Sequence, residues 1–142
     1  MKIITIKGAN NTGKTTLLKY TYKNLLADGA DVYEYDSSEF LTEDIYAYLI
    51  WHGLKIIIFS IGDSIEDIKK GIKKAKYWKV DVLVNALTSK ISESQYRKLI
   101  PEDADFIPMK SKTDKEDRVQ YKQKKYYNDL LPKLMKIVQT CN

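Results

Sequence analysis

The segment Gly8-Ala9-Asn10-Asn11-Thr12-Gly13-Lys14-Thr15 constrains this chain more than any other. Its glycines, lysine and threonine fall at every fixed position of the pattern G-x-x-x-x-G-K-[ST]. The two glycines let the backbone curl around an anion with successive N–H groups aimed inward. The flanks give the pattern its meaning. Lys2-Ile3-Ile4-Thr5-Ile6-Lys7 is a β-branched run suited to a buried parallel strand. On the other side Leu17, Leu18, Leu25 and Leu26 recur at helical spacing and Gly29 supplies a stop. Strand, glycine turn and helix follow in order, so the positive end of the helix faces the same anion.

The rest of the chain continues the alternation. Asp31–Asp36 reads as a second strand that ends on a carboxylate, and Ile56–Phe59 is the most apolar run and an expected central strand. Between them, residues 44–51 are rich in Ile, Tyr and Trp, and His52-Gly53 looks like a turn, so 44–60 is expected to be a β-hairpin. Ser64 should cap a helix from about Ile65 to Trp78. A strand over Val80–Ala86, a short helix over Ser92–Leu99, a last strand over 104–108 and a helix from near Lys115, interrupted at Pro132, complete the chain. The expected architecture is therefore α/β, a three-layer sandwich with a mostly parallel sheet and one added hairpin at 44–60. In such a sheet Gly8–Thr16, Asp36, Ser60–Asp63 and Thr88–Lys90 all fall at the carboxyl edge, where ligands bind.

At Gly8, Gly13, Lys14 and Thr15 the chain resembles the P-loop nucleoside triphosphate hydrolase superfamily. The Ser60-Ile61-Gly62-Asp63 strand ending is similar to that of small uncharacterised bacterial P-loop proteins. The resemblance implies the P-loop fold, a nucleoside triphosphate such as ATP, and Mg2+. Gly8, Asn11, Thr12, Gly13, Lys14, Thr15 and Thr16 would then hold the phosphates, with the Thr15 hydroxyl on the metal. The superfamily also places an acid at a strand end. Asp63 and Asp36 both qualify, Asp63 as metal ligand or catalytic acid and Asp36 as a substrate- or metal-binding acid; either could equally be a helix cap or turn residue.

Two activities fit these residues. One is a nucleoside- or nucleotide-like kinase or phosphotransferase acting on a small-molecule phosphate acceptor. The other is a nucleotide-dependent ATPase or regulatory module whose loops at 37–43 and 87–92 are read by a partner. Kinases of the superfamily carry an arginine-rich lid, whereas Arg97 and Arg118 are the only arginines against 22 lysines, with Lys90 a further cation near a lid position. The guanine-selecting Asn-Lys-x-Asp is replaced by Asn85-Ala86-Leu87-Thr88, which argues against GTP.

Size and charge set the remaining bounds. The 142 residues suffice for one domain, taken as 1–142. The net charge of +5 arises wholly in residues 110–142, which carry nine basic and four acidic side chains. That tail reads as the solvated face of a helix, and the scarcity of arginine disfavours specific nucleic-acid recognition. No apolar run reaches the ~20 residues of a membrane span. With a lone cysteine, Cys141, and no leader-like start, the expected compartment is the cytoplasm. His52, the one histidine, reads as an exposed turn residue, and most of the eleven tyrosines as core or core-edge residues.

Overall fold

A computed structural model describes residues 1–9, 13–36, 44–62, 64–99, 104–109 and 119–141, with the backbone alone for Asp36, 119–123 and Cys141. Ten elements follow one another: β1 (Lys2–Gly8), α1 (Lys14–Ala27), β2 (Asp31–Asp36), β3 (Tyr46–Trp51), β4 (Leu54–Phe59), α2 (Ile65–Tyr77), β5 (Val82–Thr88), α3 (Glu93–Leu99), β6 (Ala104–Pro108) and α4 (Val119–Cys141). The β-branched runs form the strands, and the leucine-spaced segments form the helices. Ser64 caps α2 as its sequence suggests, accepting the Asp67 N–H at 3.2 Å. Pro132 lies within α4, which runs through it as one helix.

The six strands form one sheet in the order β2-β3-β4-β5-β1-β6. Its pairing corrects the expected fold class. Parallel pairing is confined to β4–β5–β1–β6, while β2–β3 and β3–β4 pair antiparallel. The chain is thus a small mixed α/β protein, not the mostly parallel P-loop sandwich that the sequence suggested. The cause is local. His52 (φ 50°) and Gly53 (φ 77°) form a two-residue turn with both residues at positive φ, which folds β4 back against β3. After α1 the chain does not return beside β1. It places β2 on the outer side of that hairpin, at the sheet edge.

The hydrophobic core is divided by the sheet. On one face Leu17, Leu18 and Leu25 of α1 and Tyr126, Leu130 and Leu134 of α4 pack on Ile4, Ile6, Ile56, Ile58 and Val84. On the other face Ile68, Ile72 and Ala75 of α2 and Tyr96 of α3 pack on Ile3, Ile57, Phe59 and Leu83. Among the described residues no helix is long and apolar enough to cross a membrane.

One polar cluster is buried in this interior. The Thr5 hydroxyl donates to Asn85 Oδ1 (2.8 Å), Asn85 Nδ2 donates to the Tyr96 hydroxyl (2.9 Å), and the Thr5 and Tyr96 hydroxyls lie 3.0 Å apart. The three groups tie β1, β5 and α3 together three residues below the strand ends at Gly8 and Thr88. Burial raises the Tyr96 pKa, partly offset by its bonds to Thr5 and Asn85. Because the folded-state pKa lies above the unfolded value, this hydroxyl's contribution to stability is complete below the unfolded value. It is lost as pH rises through the folded one. Tyr96→Phe should cost about 1–2 kcal/mol at neutral pH, since Asn85 keeps a buried donor without its acceptor. It should also make the stability loss at alkaline pH shallower, as read by denaturant titration on both sides of the tyrosine range.

Candidate functional site

Every described strand end that the sequence marks for chemistry lies on one edge of the sheet. Gly8 and Thr88 end β1 and β5 and Ser60 follows β4, while β3 begins at that same edge, just after Asp44-Ile45. Backbone bonds lock these segments together. Ser89 N donates to Gly8 O (3.1 Å), Thr88 N to Gly62 O (3.1 Å), and Ser60 N to Ile45 O (2.9 Å).

Gly13 opens α1 with φ 94°, a left-handed conformation that explains why glycine is needed there. It makes no side-chain cap bond, and the first turn of α1 holds no acidic residue. The helix dipole at this end is therefore offset by no carboxylate of its own first turn. Lys14 folds back toward the end of β1, its ammonium donating to Gly8 O and, at 3.2 Å, to Ala9 O. Thr16, one residue beyond Thr15, is exposed.

The acid that meets the Thr15 hydroxyl is one the sequence reading missed. Thr15 Oγ1 donates to Asp44 Oδ1 at 3.2 Å, and Ser60 Oγ donates to the same oxygen at 2.9 Å. Ser60 is itself fixed by the Ile45 N–H, which donates to its Oγ at 2.7 Å. Asp44 is thus held by one residue from α1 and one from the end of β4. Hairpin register is the signal that finds it. With the turn at His52-Gly53 and Tyr46 opposite Phe59, Ile45 falls opposite Ser60 and places Asp44 beside it.

The other expected residues separate. Asn11, Thr12, Asp63 and Arg118 lie outside the described residues, as does the loop 37–43. Asp36 ends β2 at the correct edge of the sheet, paired with Tyr46. However, β3, β4 and β5 stand between β2 and β1, and four strand spacings amount to about 19 Å. Arg97 packs at the opposite edge, where its guanidinium lies over the Phe106 ring (4.9 Å) and donates to Ala104 O (3.4 Å). Ala104 pairs with Ile3, at the start of β1. Lys90 is exposed just beyond β5. His52 also lies at the far edge, 3.2 Å from Asp28 Oδ2, an oxygen that also accepts the Trp51 indole N–H at 3.0 Å. Those two bonds, that from Trp51 first, hold the exposed Asp28 carboxyl below its ordinary pKa.

Among the described residues no three His, Cys, Asp or Glu side chains gather to hold a metal by themselves. One hydroxyl and one carboxylate suit Mg2+, which takes few protein ligands and completes its shell with water and phosphate oxygens. No protein-family model, curated protein or solved structure matches this chain.

Proposed function

We propose that the chain binds ATP or another nucleoside triphosphate with Mg2+ at the Gly8–Thr15 turn, and that it is a kinase-like phosphotransferase of the cytoplasm. The observation that carries this reading is the bond from Thr15 to Asp44 beside Lys14. It sets a hydroxyl and a carboxylate in contact next to a lysine, the three groups that a phosphate–magnesium site would use. The turn's N–H groups and the start of α1 would bind the phosphates. Lys14 would exchange the Gly8 and Ala9 carbonyls for phosphate oxygens. Thr15 and Asp44 would hold the magnesium ion, which, when bound, offsets the negative charge of the phosphates. Ser60 keeps the Asp44 carboxylate aimed at Thr15. Asp63, directly after Gly62, is the further acid of this reading, for orienting the acceptor, whereas Asp36 stands four strands from β1 and takes no part in it.

Calorimetric titration with ATP tests the proposal. Affinity should rise with Mg2+ in the native chain. In Asp44→Asn the gain from Mg2+ should shrink about tenfold, while metal-free ATP binding is retained or slightly improved as a negative charge leaves the site. An unchanged gain would remove Asp44 from the metal site. The position of Arg97 at the opposite edge favours a second reading, an ATPase or regulatory module that lacks an acceptor. Release of ADP that depends on an added small-molecule acceptor supports the phosphotransferase, and acceptor-independent release supports the module.

A further inference from the structure

A groove of about 740 Å³ runs along α2 on the sheet face opposite α1. Its apolar wall is Phe59, Ile61, Tyr77 and Trp78, and its charged groups are Lys70, Lys73, Lys74 and Glu34. The helical spacing of Lys70, Lys73, Lys74 and Tyr77 places all four on one face of α2. Gly71 sets how closely that helix approaches the sheet, since a Cβ there would stand 2.7 Å from the Phe59 ring. Trp78 extends the wall into an aromatic group with Tyr33 and Tyr48, at centroid distances of 5.9 and 5.4 Å.

We propose that this groove is a second small-molecule site, for an aromatic ring bearing a phosphate monoester. Three ammonium groups against one carboxylate leave two positive charges, which match the nearly dianionic phosphate monoester of neutral solution. Lysine binds phosphate as a point charge and needs no bidentate geometry. The flat apolar wall suits a ring, and the volume lies within the ~300–1,000 Å³ of small-molecule sites. The edge strand beside the groove is not built to add a peptide strand, because β2 carries an irregularity between Val32 and Glu34 that breaks its ladder. One end of the groove is Ile61, next in the chain to Ser60, which bonds Asp44. That this ligand is the phosphate acceptor rests on the nucleotide reading above; that the groove binds it does not.

The test is titration of the full chain with phenyl phosphate, followed by calorimetry and by tryptophan fluorescence, with inorganic phosphate and benzyl alcohol as half-ligands. Phenyl phosphate should bind at least about tenfold more tightly than either half-ligand. Reversing the exposed lysines in Lys70→Glu/Lys73→Glu should weaken it about tenfold or more, with ATP–Mg2+ affinity unchanged. Lys14→Ala should leave phenyl phosphate binding intact. Loss of binding in Lys14→Ala but not in the double variant would put the phosphate in the turn and overturn the proposal, as would half-ligands that bind as well as the whole. A native chain that binds phenyl phosphate in the groove but no ATP would sink the nucleotide reading and leave the groove standing.

Discussion

Lys14→Ala should lower affinity for ATP–Mg2+ about a hundredfold, because one or two charge-assisted bonds to phosphate at ~1.5–3 kcal/mol each disappear with the ammonium. The same change should barely alter stability. Lys14 starts α1, where a positive charge opposes the helix dipole, so its removal relieves an unfavourable term. Against that stands the loss of its bonds to Gly8 O and Ala9 O at the turn. Gly8 O still accepts the Ser89 N–H, so the carbonyl keeps a partner. A large loss of affinity with a nearly unmoved melting temperature is therefore the expected signature. It separates a ligand-binding ammonium from a structural one. Lys14→Arg is the informative companion, since it keeps the charge but replaces a compact ammonium with a wide planar group. Recovery in Lys14→Arg of only part of the affinity would point to the reach of the ammonium. Equal ATP affinity in the native chain and Lys14→Ala would end the nucleotide proposal.

How much of this was legible in the sequence depends on the range of the interaction involved. The elements themselves were legible because the forces that make them are local. Ile56–Phe59 is β-branched and apolar, Ser64 is followed by acids for an α2 cap, and His52-Gly53 tolerates positive φ. Strand order was not, because nothing local tells β2 whether to lie beside β1 or beyond the hairpin. The antiparallel pairing of β2 with β3 decides that, and it sets Asp36 four strands from the turn. The missing acid has the same explanation. Asp44 carries no distinguishing neighbours in the sequence, and its place opposite the end of β4 exists only once the hairpin register is fixed. Arg97 shows the converse: its position soon after a candidate loop suggests a lid cation, but α3 runs back along the sheet and carries it to the other edge.

Gly62→Ala should damage the fold severely, at about 3 kcal/mol, since overpacking usually costs ~1–3 kcal/mol and here both colliding groups are backbone. A Cβ on Gly62 would stand 1.9 Å from Ala86 O and 2.5 Å from the carbonyl carbon behind it. Neither atom belongs to a flexible side chain, so relief requires the 60–62 segment to move away from β5. That movement would break the bond from Thr88 N to Gly62 O and pull on Ser60, whose hydroxyl holds Asp44. The melting temperature should fall by about 6–12 °C, at ~2–4 °C per kcal/mol for a chain near this length. Any enhancement of ATP binding by Mg2+ should weaken in the same variant, well below its melting temperature, because Ser60 and Asp44 shift together. Gly53→Ala makes a useful contrast. No atom lies within 4 Å of its would-be Cβ, and its φ of 77° makes the cost one of backbone strain alone. That strain amounts to about 1 kcal/mol, and Gly53 sits at the edge of the sheet remote from Asp44. If Gly62→Ala and Gly53→Ala lost equal stability and left Mg2+ dependence alike, the tight seating of the 60–62 segment on β5 would not be what holds the site together.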